Sequence, residues 1–217
     1  MELKKVIVIL YGKGKHELIA SGIKEHLAGF SKDYDIVMVD DESFTPNYSA
    51  VFKRKFYTFC QRNANWLYSV YSRLSEKKAL RIFNKQRRKN FKENLNYRKF
   101  EKLKKRISYV KNILMRYDPE AVVCMTPQAL KLALAVKDIY EIDTKVVSFM
   151  ADFGVDLRFL DLRCDKYFVA NGEVRHKLTK YGISEDNIMI TGVPYAVNLK
   201  EKLNKTECRA ELNIAND

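Results

Sequence analysis

The feature of this sequence that most constrains its fold is the alternation of short apolar runs with helical segments, which one strongly basic stretch interrupts. Before the interruption, 6–10 is a continuous apolar run and 35–40 is a second strand-like segment with apolar residues at 36–39, and a helical apolar pattern over 17–29 lies between them. Continuous apolar runs of this length are typical of strands that are buried on both faces of a parallel sheet. The pattern therefore predicts a sheet whose strands are connected by helices.

The alternation resumes after residue 117. The sequence predicts strands at 121–125, 145–150, 166–170 and 187–191, and helices at 127–139 and 173–181. Strands that alternate with helices give a parallel sheet with right-handed crossovers. We therefore predict an α/β fold: one Rossmann-like domain over 1–195, with a basic helical insertion over 47–117, followed by a tail over 196–217.

The basic stretch, 51–116, contains 21 Lys and Arg residues against three Glu residues, a net charge of +18 in a chain whose formal net charge is +13. Aromatic residues are interleaved with the cations, and apolar residues recur at helical spacing, which predicts two or three helices. A basic, aromatic surface of this kind suits phosphate, either in lipid headgroups or in nucleic acid. Aromatic residues at helical spacing can equally be core residues, and we expect Leu103 and Ile107 to pack on the sheet.

The stretch has no RNA-binding signature and no zinc finger, which counts against nucleic acid, but the residues alone leave both anionic partners open. Aromatic side chains suit the headgroup layer, and each basic residue near an anionic membrane contributes roughly 1 kcal/mol. The predicted membrane-binding residues are Phe52, Arg54, Phe56, Trp66, Tyr68, Tyr71, Arg87 and Arg88.

Composition excludes several other classes of protein. There is no run of about 18 apolar residues, so no transmembrane helix is predicted. The N-terminal apolar run is short and reaches Gly12 without a signal-type cleavage site, which indicates a first strand. The four cysteines are widely spaced and the three histidines lack metal-ligand spacing, so we predict reduced thiols, no metal and a cytoplasmic location.

The residues that could take part in binding or catalysis follow the predicted strands, where ligands bind in sheets of this type. Gly12, Lys13 and Gly14 precede a helix, an arrangement that favours a phosphate group, but the third glycine of a dinucleotide fingerprint is absent. His16 stands where a general base could stand, although an exposed loop histidine is the alternative. Asp152 follows the strand at 145–150 and is either a base, a residue that orients one, or a turn cap.

Four pieces of sequence, in order, suggest a family. They are Gly12-Lys13-Gly14-Lys15-His16 followed by Ala20; Asp118-Pro119-Glu120-Ala121-Val122-Val123-Cys124; Ala151-Asp152-Phe153; and 165–194, which ends in Thr191-Gly192-Val193-Pro194. Together they resemble the N-terminal half of the diacylglycerol glycosyltransferases, which include the monogalactosyldiacylglycerol synthases and belong to the GT-B clan. The last piece is the most specific, and the resemblance covers almost the whole chain.

The resemblance implies half of a GT-B fold, with an acceptor domain over 1–195 and a tail or the start of a missing donor domain over 196–217. It also implies a transfer of sugar from a UDP-sugar to a lipid hydroxyl. Asp152, His16 and Asp156 are the implied catalytic positions, and Gly12, Lys13, Gly14, Thr126 and Phe153 are the implied substrate or phosphate positions. Two positions depart from the family pattern. Lys15 stands between Gly14 and His16, and Asp156 replaces the histidine of a D-F-x-x-H motif.

The predicted function is therefore the acceptor and membrane half of a lipid-directed glycosyltransferase, inactive without a donor-binding domain. No cofactor is expected, and a UDP-sugar donor is expected only with that second domain. The predicted partners are an anionic membrane surface, a lipid acceptor and a separate donor-half protein, with the chain peripheral on the inner face of the membrane. The alternative is a non-catalytic binding module for nucleic acid or an acidic partner.

Overall fold

The computed structural model describes residues 5–30, 33–44, 55, 59, 64–88, 97–194 and 204–211. In these ranges six parallel strands form one sheet in the order β2-β1-β3-β4-β5-β6, which confirms the predicted α/β class. The strands are β1 (Lys5–Tyr11), β2 (Tyr34–Asp40), β3 (Ala121–Cys124), β4 (Lys145–Met150), β5 (Lys166–Val169) and β6 (Ile188–Ile190). The helices are α1 (Lys15–Phe30), α2 (Asn65–Arg88), α3 (Tyr97–Tyr117), α4 (Pro127–Tyr140), α5 (Gly172–Lys180) and α6 (Lys205–Glu211).

The strand order reverses direction beside β1. From β1 the chain moves to β2 on one side, and then returns to place β3 on the other side of β1. The carboxyl ends of β1 and β3 therefore form a topological switch point, where the connecting segments leave on opposite sides and open a crevice. Gly12 directly follows β1, and Thr126 lies two residues after the end of β3.

Alternate strand residues fill two cores, one on each face of the sheet. The larger core contains Val8, Leu10 and Val122 and is covered by α2, α3 and α4, whereas the smaller core contains Ile9 and Phe149 and is covered by α1. Within α1 the predicted apolar face is confirmed for Ile19, Ile23 and Leu27. It is wrong for Leu18, which is 69% exposed.

Helix α3 packs on the sheet as the sequence predicts. Ile107, Val110 and Leu114 are buried in the larger core, and Leu103 is partly buried against it. These residues recur every three or four positions and so lie on one face of the helix. The basic residues of α3 lie between them, as exposed Lys104 and Lys105 illustrate.

Helix α2 is attached to the domain through its C-terminal half. Ala79 and Phe83 are buried, and the side-chain amide of Gln86 donates a hydrogen bond of 3.3 Å to the carboxylate of Asp161. The connection from β4 to β5 contains only a short 3-10 turn, Leu157–Phe159, in place of a crossover α-helix. Phe83 and Phe159 belong to the same core, so α2 covers the part of the sheet that a crossover helix would cover.

A buried ionic network holds the β4–β5 connection against α4. Asp161 is 2% exposed, and Arg163 donates to its two carboxylate oxygens at 2.8 and 2.6 Å and to Asp138 at 2.7 Å. The hydroxyl of Tyr167 donates to the backbone oxygen of Asp161 at 2.6 Å. Because these bonds join α4, β5 and the connection, they fix where the residues after β4 leave the sheet.

Candidate functional site

The candidate site begins at the loop between β1 and α1. Gly14 has a φ of +80°, in the left-handed region that favours glycine, and its carbonyl accepts the amide of Glu17 at 3.0 Å. This turn begins α1 directly over the switch point. Gly12, at the end of β1, is buried, and any side chain there would meet three neighbours.

Those three neighbours define the floor of the site. A Cβ atom added at Gly12 would lie 3.1 Å from Thr126 Cγ2, 3.3 Å from His16 Nδ1 and 3.8 Å from Asp41 Oδ1. Thr126 and Asp41 follow β3 and β2, the two strands that flank β1 in the sheet, and His16 lies in the first turn of α1. Gly12 is therefore needed for the close approach of these groups.

Thr126 joins two of these strand ends by hydrogen bonds. Its hydroxyl donates to Asp41 Oδ2 at 2.5 Å and accepts the amide of Ala129 at 3.1 Å, so Thr126 also caps α4. On the same side of the sheet, Lys13 Nζ lies 3.7 Å from Asp40 Oδ2. The predicted phosphate-binding positions Gly12, Lys13 and Thr126 are thus brought together.

Lys15 and Asp152 form an ion pair that joins the start of α1 to the segment after β4. Both side chains are more than half exposed, so the pair adds little stability, but it brings Asp152 to the same side of the site as His16. Apolar side chains accompany the pair in sequence. Phe153 is 72% exposed, and Leu18, one helical turn after Lys15, is also solvent-exposed.

His16 is half-buried among these groups. Burial lowers the pKa of His16 below its usual value, the cation of Lys15 lowers it further, and the carboxylate of Asp152 opposes both effects. The imidazole is therefore neutral near pH 7 and has a lone pair that can accept a proton. This is the state that a general base requires.

Asp156 has a structural role in the arrangement seen here. Its carboxylate accepts the amide of Arg158 at 2.9 Å and the guanidinium Nε and Nη2 of the same residue at 2.8 and 2.7 Å. Asp156 therefore caps the 3-10 turn Leu157–Phe159. Of the three predicted catalytic residues, the structure brings His16 and Asp152 together and places Asp156 in this cap.

The predicted membrane-binding residues are only partly described. Phe52, Arg54 and Phe56 lie outside the described residues, as do the side chains of Tyr68 and Arg88 within α2. Trp66 and Tyr71 are 68% and 52% exposed. Arg87 differs from them, because its guanidinium lies 3.1–3.4 Å from the Cβ position of Gly182, against the loop between α5 and β6.

Sequence reasoning did not include Asp41 among the site residues. The signal was present, since Asp41 directly follows β2 and the carboxyl ends of the strands were expected to form the site. Sequence reasoning also did not single out Phe83, whose buried side chain attaches α2 to the larger core.

Within the described ranges, no group of three or more His, Cys, Asp or Glu side chains could hold a metal ion. None of the helices in those ranges is long and apolar enough to cross a membrane.

Comparison with known proteins identifies one family. The sequence model of monogalactosyldiacylglycerol (MGDG) synthase matches residues 16–195. This match begins at His16, directly after the loop in which Lys15 departs from the family pattern, and it confirms the resemblance found from the residues. No curated protein matches the sequence significantly.

Several solved structures also match this chain. HepE of Anabaena, solved in complex with UDP and glucose, is 10% identical, with a TM-score of 0.52 over 98% of this chain and 51% of its own. The UDP-N-acetylglucosamine 2-epimerase of Rickettsia bellii is 14% identical (TM-score 0.49, 99% and 52%). The lipopolysaccharide outer core galactosyltransferase WaaB is 11% identical (TM-score 0.44, 87% and 45%). The chain spans about half the length of these structures, and the likeness to HepE shows a shared fold.

Proposed function

The chain belongs to the monogalactosyldiacylglycerol synthase family, and from that premise we propose that it is the acceptor-side half of a glycosyltransferase that acts on a lipid hydroxyl. The observation that carries the proposal is the meeting of Gly12, His16, Thr126 and Asp152 at the switch point of a domain of this family. A neutral, half-buried histidine beside a glycine loop suits proton removal next to a phosphate group.

In the proposed reaction, the hydroxyl of a diacylglycerol-like lipid gives its proton to His16 while its oxygen attacks the anomeric carbon of the sugar. The bond from that carbon to the UDP oxygen breaks, and UDP leaves with the bonding electron pair. Lys13 and the amides of the 12–14 loop would face the diphosphate, since a glycine loop before a helix start favours an anion. Asp152, held by Lys15, would stabilise the imidazolium that forms.

We further propose that transfer needs a donor-binding domain, because nothing in the described site is arranged to recognise a nucleotide base. The comparison structures are about twice as long as this chain. A second domain, on the same polypeptide or a separate one, would hold the UDP-sugar over the carboxyl ends of the strands.

The proposed membrane contact is the N-terminal half of α2. Five apolar side chains there are exposed: Trp66, Leu67, Val70, Tyr71 and Leu74. Their spacing puts them along one stripe of the helix, and Arg73, Lys77 and Lys78 are exposed beside it. A helix with an aromatic stripe and flanking cations suits an anionic lipid surface, with the chain peripheral on the inner face of the membrane.

Sedimentation with vesicles tests the membrane contact. The chain should pellet with phosphatidylglycerol vesicles, should pellet less with phosphatidylcholine vesicles, and should be released by salt. Trp66→Ala should weaken binding by about tenfold, since burial of a large apolar side chain is worth roughly 1.5–3 kcal/mol. Met115→Ala, which removes an exposed apolar side chain from α3, is the matched control and should bind as the unsubstituted chain does. Equal binding to both lipids would exclude this contact.

Transfer is tested by adding a separate donor-half protein of this family, a UDP-sugar and diacylglycerol in mixed micelles. Glycolipid should appear only when both halves are present, and His16→Gln should reduce the rate of glycolipid formation by about 10²–10⁴-fold.

The net charge of +18 over 51–116 also supports the alternative, a non-catalytic binding module. Steeply salt-dependent binding to DNA or RNA, without binding to vesicles, would favour that alternative.

A further inference from the structure

The outward face of α2 changes from apolar to cationic along the length of the helix. In its N-terminal half the exposed apolar side chains are Trp66, Leu67, Val70, Tyr71 and Leu74. Four exposed cations follow them in the C-terminal half: Lys77, Lys78, Arg81 and Lys85. The proposed membrane contact uses Lys77 and Lys78 as flanking charges, whereas Arg81 and Lys85 have no role in it.

The apolar group and the cationic group point in the same direction from the helix axis. Since an α-helix completes three turns in about eleven residues, side chains eleven positions apart lie on one face. This step leads from four of the apolar residues to a cation: Trp66 to Lys77, Leu67 to Lys78, Val70 to Arg81, and Leu74 to Lys85. At 1.5 Å per residue, the two groups are separated by about 16 Å along the axis.

The rest of the domain lies on the opposite side of α2. Ala79 and Phe83 are buried, and each is two residues from Arg81, which is a rotation of about 200° around the helix. Between 66 and 74, every side chain that the structure describes is exposed except that of Ser72, which is half-buried. The outward face is therefore open to a partner along both halves of the helix.

The cations of this face form a column that begins in the N-terminal half. Arg73, Lys77, Arg81 and Lys85 are four residues apart, so each lies one turn from the next, and like charges at this spacing repel. In the described part of the chain, none of the ion pairs includes a member of this column. A surface of phosphate groups would offset the repulsion within the column.

We propose that α2 binds an anionic lipid bilayer at an angle to the bilayer surface, with its N-terminal half among the acyl chains and its cation column on the lipid phosphates. This inference rests on the proposed membrane contact and specifies how that contact is made. A helix that lies parallel to a bilayer buries one face to the same depth along its whole length. In that position Arg81 and Lys85 would reach the depth of Val70 and Leu74, where a charge is costly.

An inclined helix removes this conflict. The axial separation of about 16 Å between the two groups exceeds the roughly 5–10 Å to which an interfacial helix buries its apolar face. The apolar half can therefore enter the acyl layer while the cations stay at the level of the phosphates. A nucleic acid would also attract the cations, but it offers no apolar layer for Leu67, Val70 and Leu74, so the composition of this face favours lipid.

Trp66 is the only tryptophan of the chain, so its fluorescence reports on the N-terminal half of α2 alone. Bromine atoms on lipid acyl chains quench a tryptophan that lies among those chains. With vesicles of phosphatidylglycerol and brominated phosphatidylcholine, Trp66 should lose at least about half of its emission, because an apolar side chain of an inserted helix lies below the headgroups. Binding without quenching of Trp66 would overturn the proposal.

A second probe position tests the inclination itself. In Trp66→Phe, Ile82→Trp, the tryptophan is 16 residues farther along α2, about 24 Å along the axis. Ile82 is 40% exposed and lies three turns after Tyr71 on the same face. The probe in this variant should lose less than about a fifth of its emission, because it lies at the level of the phosphates. Equal quenching of the two probes would show that the helix lies flat and would overturn the proposal.

The cation column is tested by removing three of its charges together. Lys77→Gln, Arg81→Gln, Lys85→Gln should weaken binding to phosphatidylglycerol vesicles by at least about tenfold, because each cation at an anionic surface adds to the affinity. Circular dichroism confirms that the variant keeps its helices.

The matched control removes the same number of charges from α3. Lys104, Lys105 and Arg116 are exposed, and Lys104→Gln, Lys105→Gln, Arg116→Gln should weaken binding by less than about threefold. Equal losses in the two triple variants would show that net charge alone attracts the chain, and would overturn the contact between the column and the phosphates.

Activity with a donor half separates this inference from the proposed function. If no glycolipid forms but the two probes differ as stated, the transferase function fails and the inclined binding stands. If glycolipid forms while the two probes are quenched equally, the inclined binding fails alone. Salt-dependent binding to a DNA duplex without binding to vesicles would assign the face to nucleic acid and would overturn the inference.

Discussion

At the scale of single residues, His16 shows how the fold prepares a side chain for chemistry. Its ring lies beside Gly12 at the end of β1, and its half-buried position lowers the pKa of the imidazole. Lys15, which departs from the family pattern, lies next to His16 in sequence and pairs with Asp152. Lys15 therefore acts on the pKa of His16 directly and is also the partner of the carboxylate that opposes it.

The first prediction concerns these two charges. Lys15→Met should raise the pKa of His16, because it removes a nearby cation and leaves the Asp152 carboxylate without that partner. Asp152→Asn should lower the pKa of His16, because it removes the charge that favours the protonated ring. Titration of the His16 C–H resonances by NMR measures both shifts. Shifts of the opposite sign would show that burial and other groups dominate the response.

The second prediction concerns stability. The pKa of His16 is lower in the folded chain than in the unfolded chain, where it is about 6.5. As the pH falls through about 6.5 the unfolded chain binds a proton first, so this contribution to the free energy of unfolding is present above that pH and is lost below it. Urea unfolding at pH 7.5, 6.5 and 5.5 should show a smaller decline for His16→Gln than for the unsubstituted chain. His176→Gln controls for loss of an exposed histidine, and an equal decline in His16→Gln would contradict the prediction.

At the scale of elements, α2 divides into two halves with different roles. The C-terminal half places Ala79 and Phe83 in the larger core, and the N-terminal half exposes Trp66 and Leu74. Both halves have apolar residues at helical spacing, so the same local pattern serves a core contact in one half and a solvent-facing surface in the other. The 3-10 turn Leu157–Phe159, which α2 contacts, follows Asp152 and Phe153 closely in the chain.

The third prediction tests this division. Phe83→Ala should lower the free energy of unfolding by about 3–5 kcal/mol, because it opens a cavity at a fully buried position. Trp66→Ala should change it by no more than about 0.5 kcal/mol, because that side chain is mainly exposed. Urea unfolding measures both values. A large loss of unfolding free energy in Trp66→Ala with a small loss in Phe83→Ala would contradict this division, because it would show that the N-terminal half of α2 packs in the core.

At the scale of the whole molecule, one parallel sheet separates two cores and brings the candidate site residues to the carboxyl ends of its strands. The larger core continues from the sheet into α2, α3 and α4, and it contains the thiols of Cys124 and Cys164. Burial raises the pKa of both thiols, that of Cys164 to about 12. These cysteines are therefore protonated and shielded for as long as the core is closed.

The fourth prediction uses these thiols to report on the whole fold. In a Cys60→Ser, Cys208→Ser background, Cys124 and Cys164 should react with a thiol reagent at least about 10³-fold more slowly than in urea, because reaction requires opening of the core. Restoring Cys208, which is half-buried, should add one faster phase. Rapid reaction of Cys124 or Cys164 in native buffer would show that the larger core opens locally.

Much of this protein was determined by its sequence. The alternation of apolar runs with helical patterns predicted the parallel sheet, and the order of those runs placed the glycine loop, Thr126 and Asp152 at the carboxyl ends of strands. Sequence pieces also identified the family. These features are local, because a strand or helix pattern depends on residues a few positions apart.

The tertiary structure decided what depends on contacts between distant residues. The order of the strands brought Asp41 to Thr126 and placed both beside Gly12, and packing brought Lys15 to Asp152. Periodicity shows which residues share a face, but not whether that face meets a sheet or solvent, so only packing separated Phe83 from Trp66. The physical reason is that burial is a property of the whole packed molecule, and a residue's nearest neighbours in sequence do not determine it.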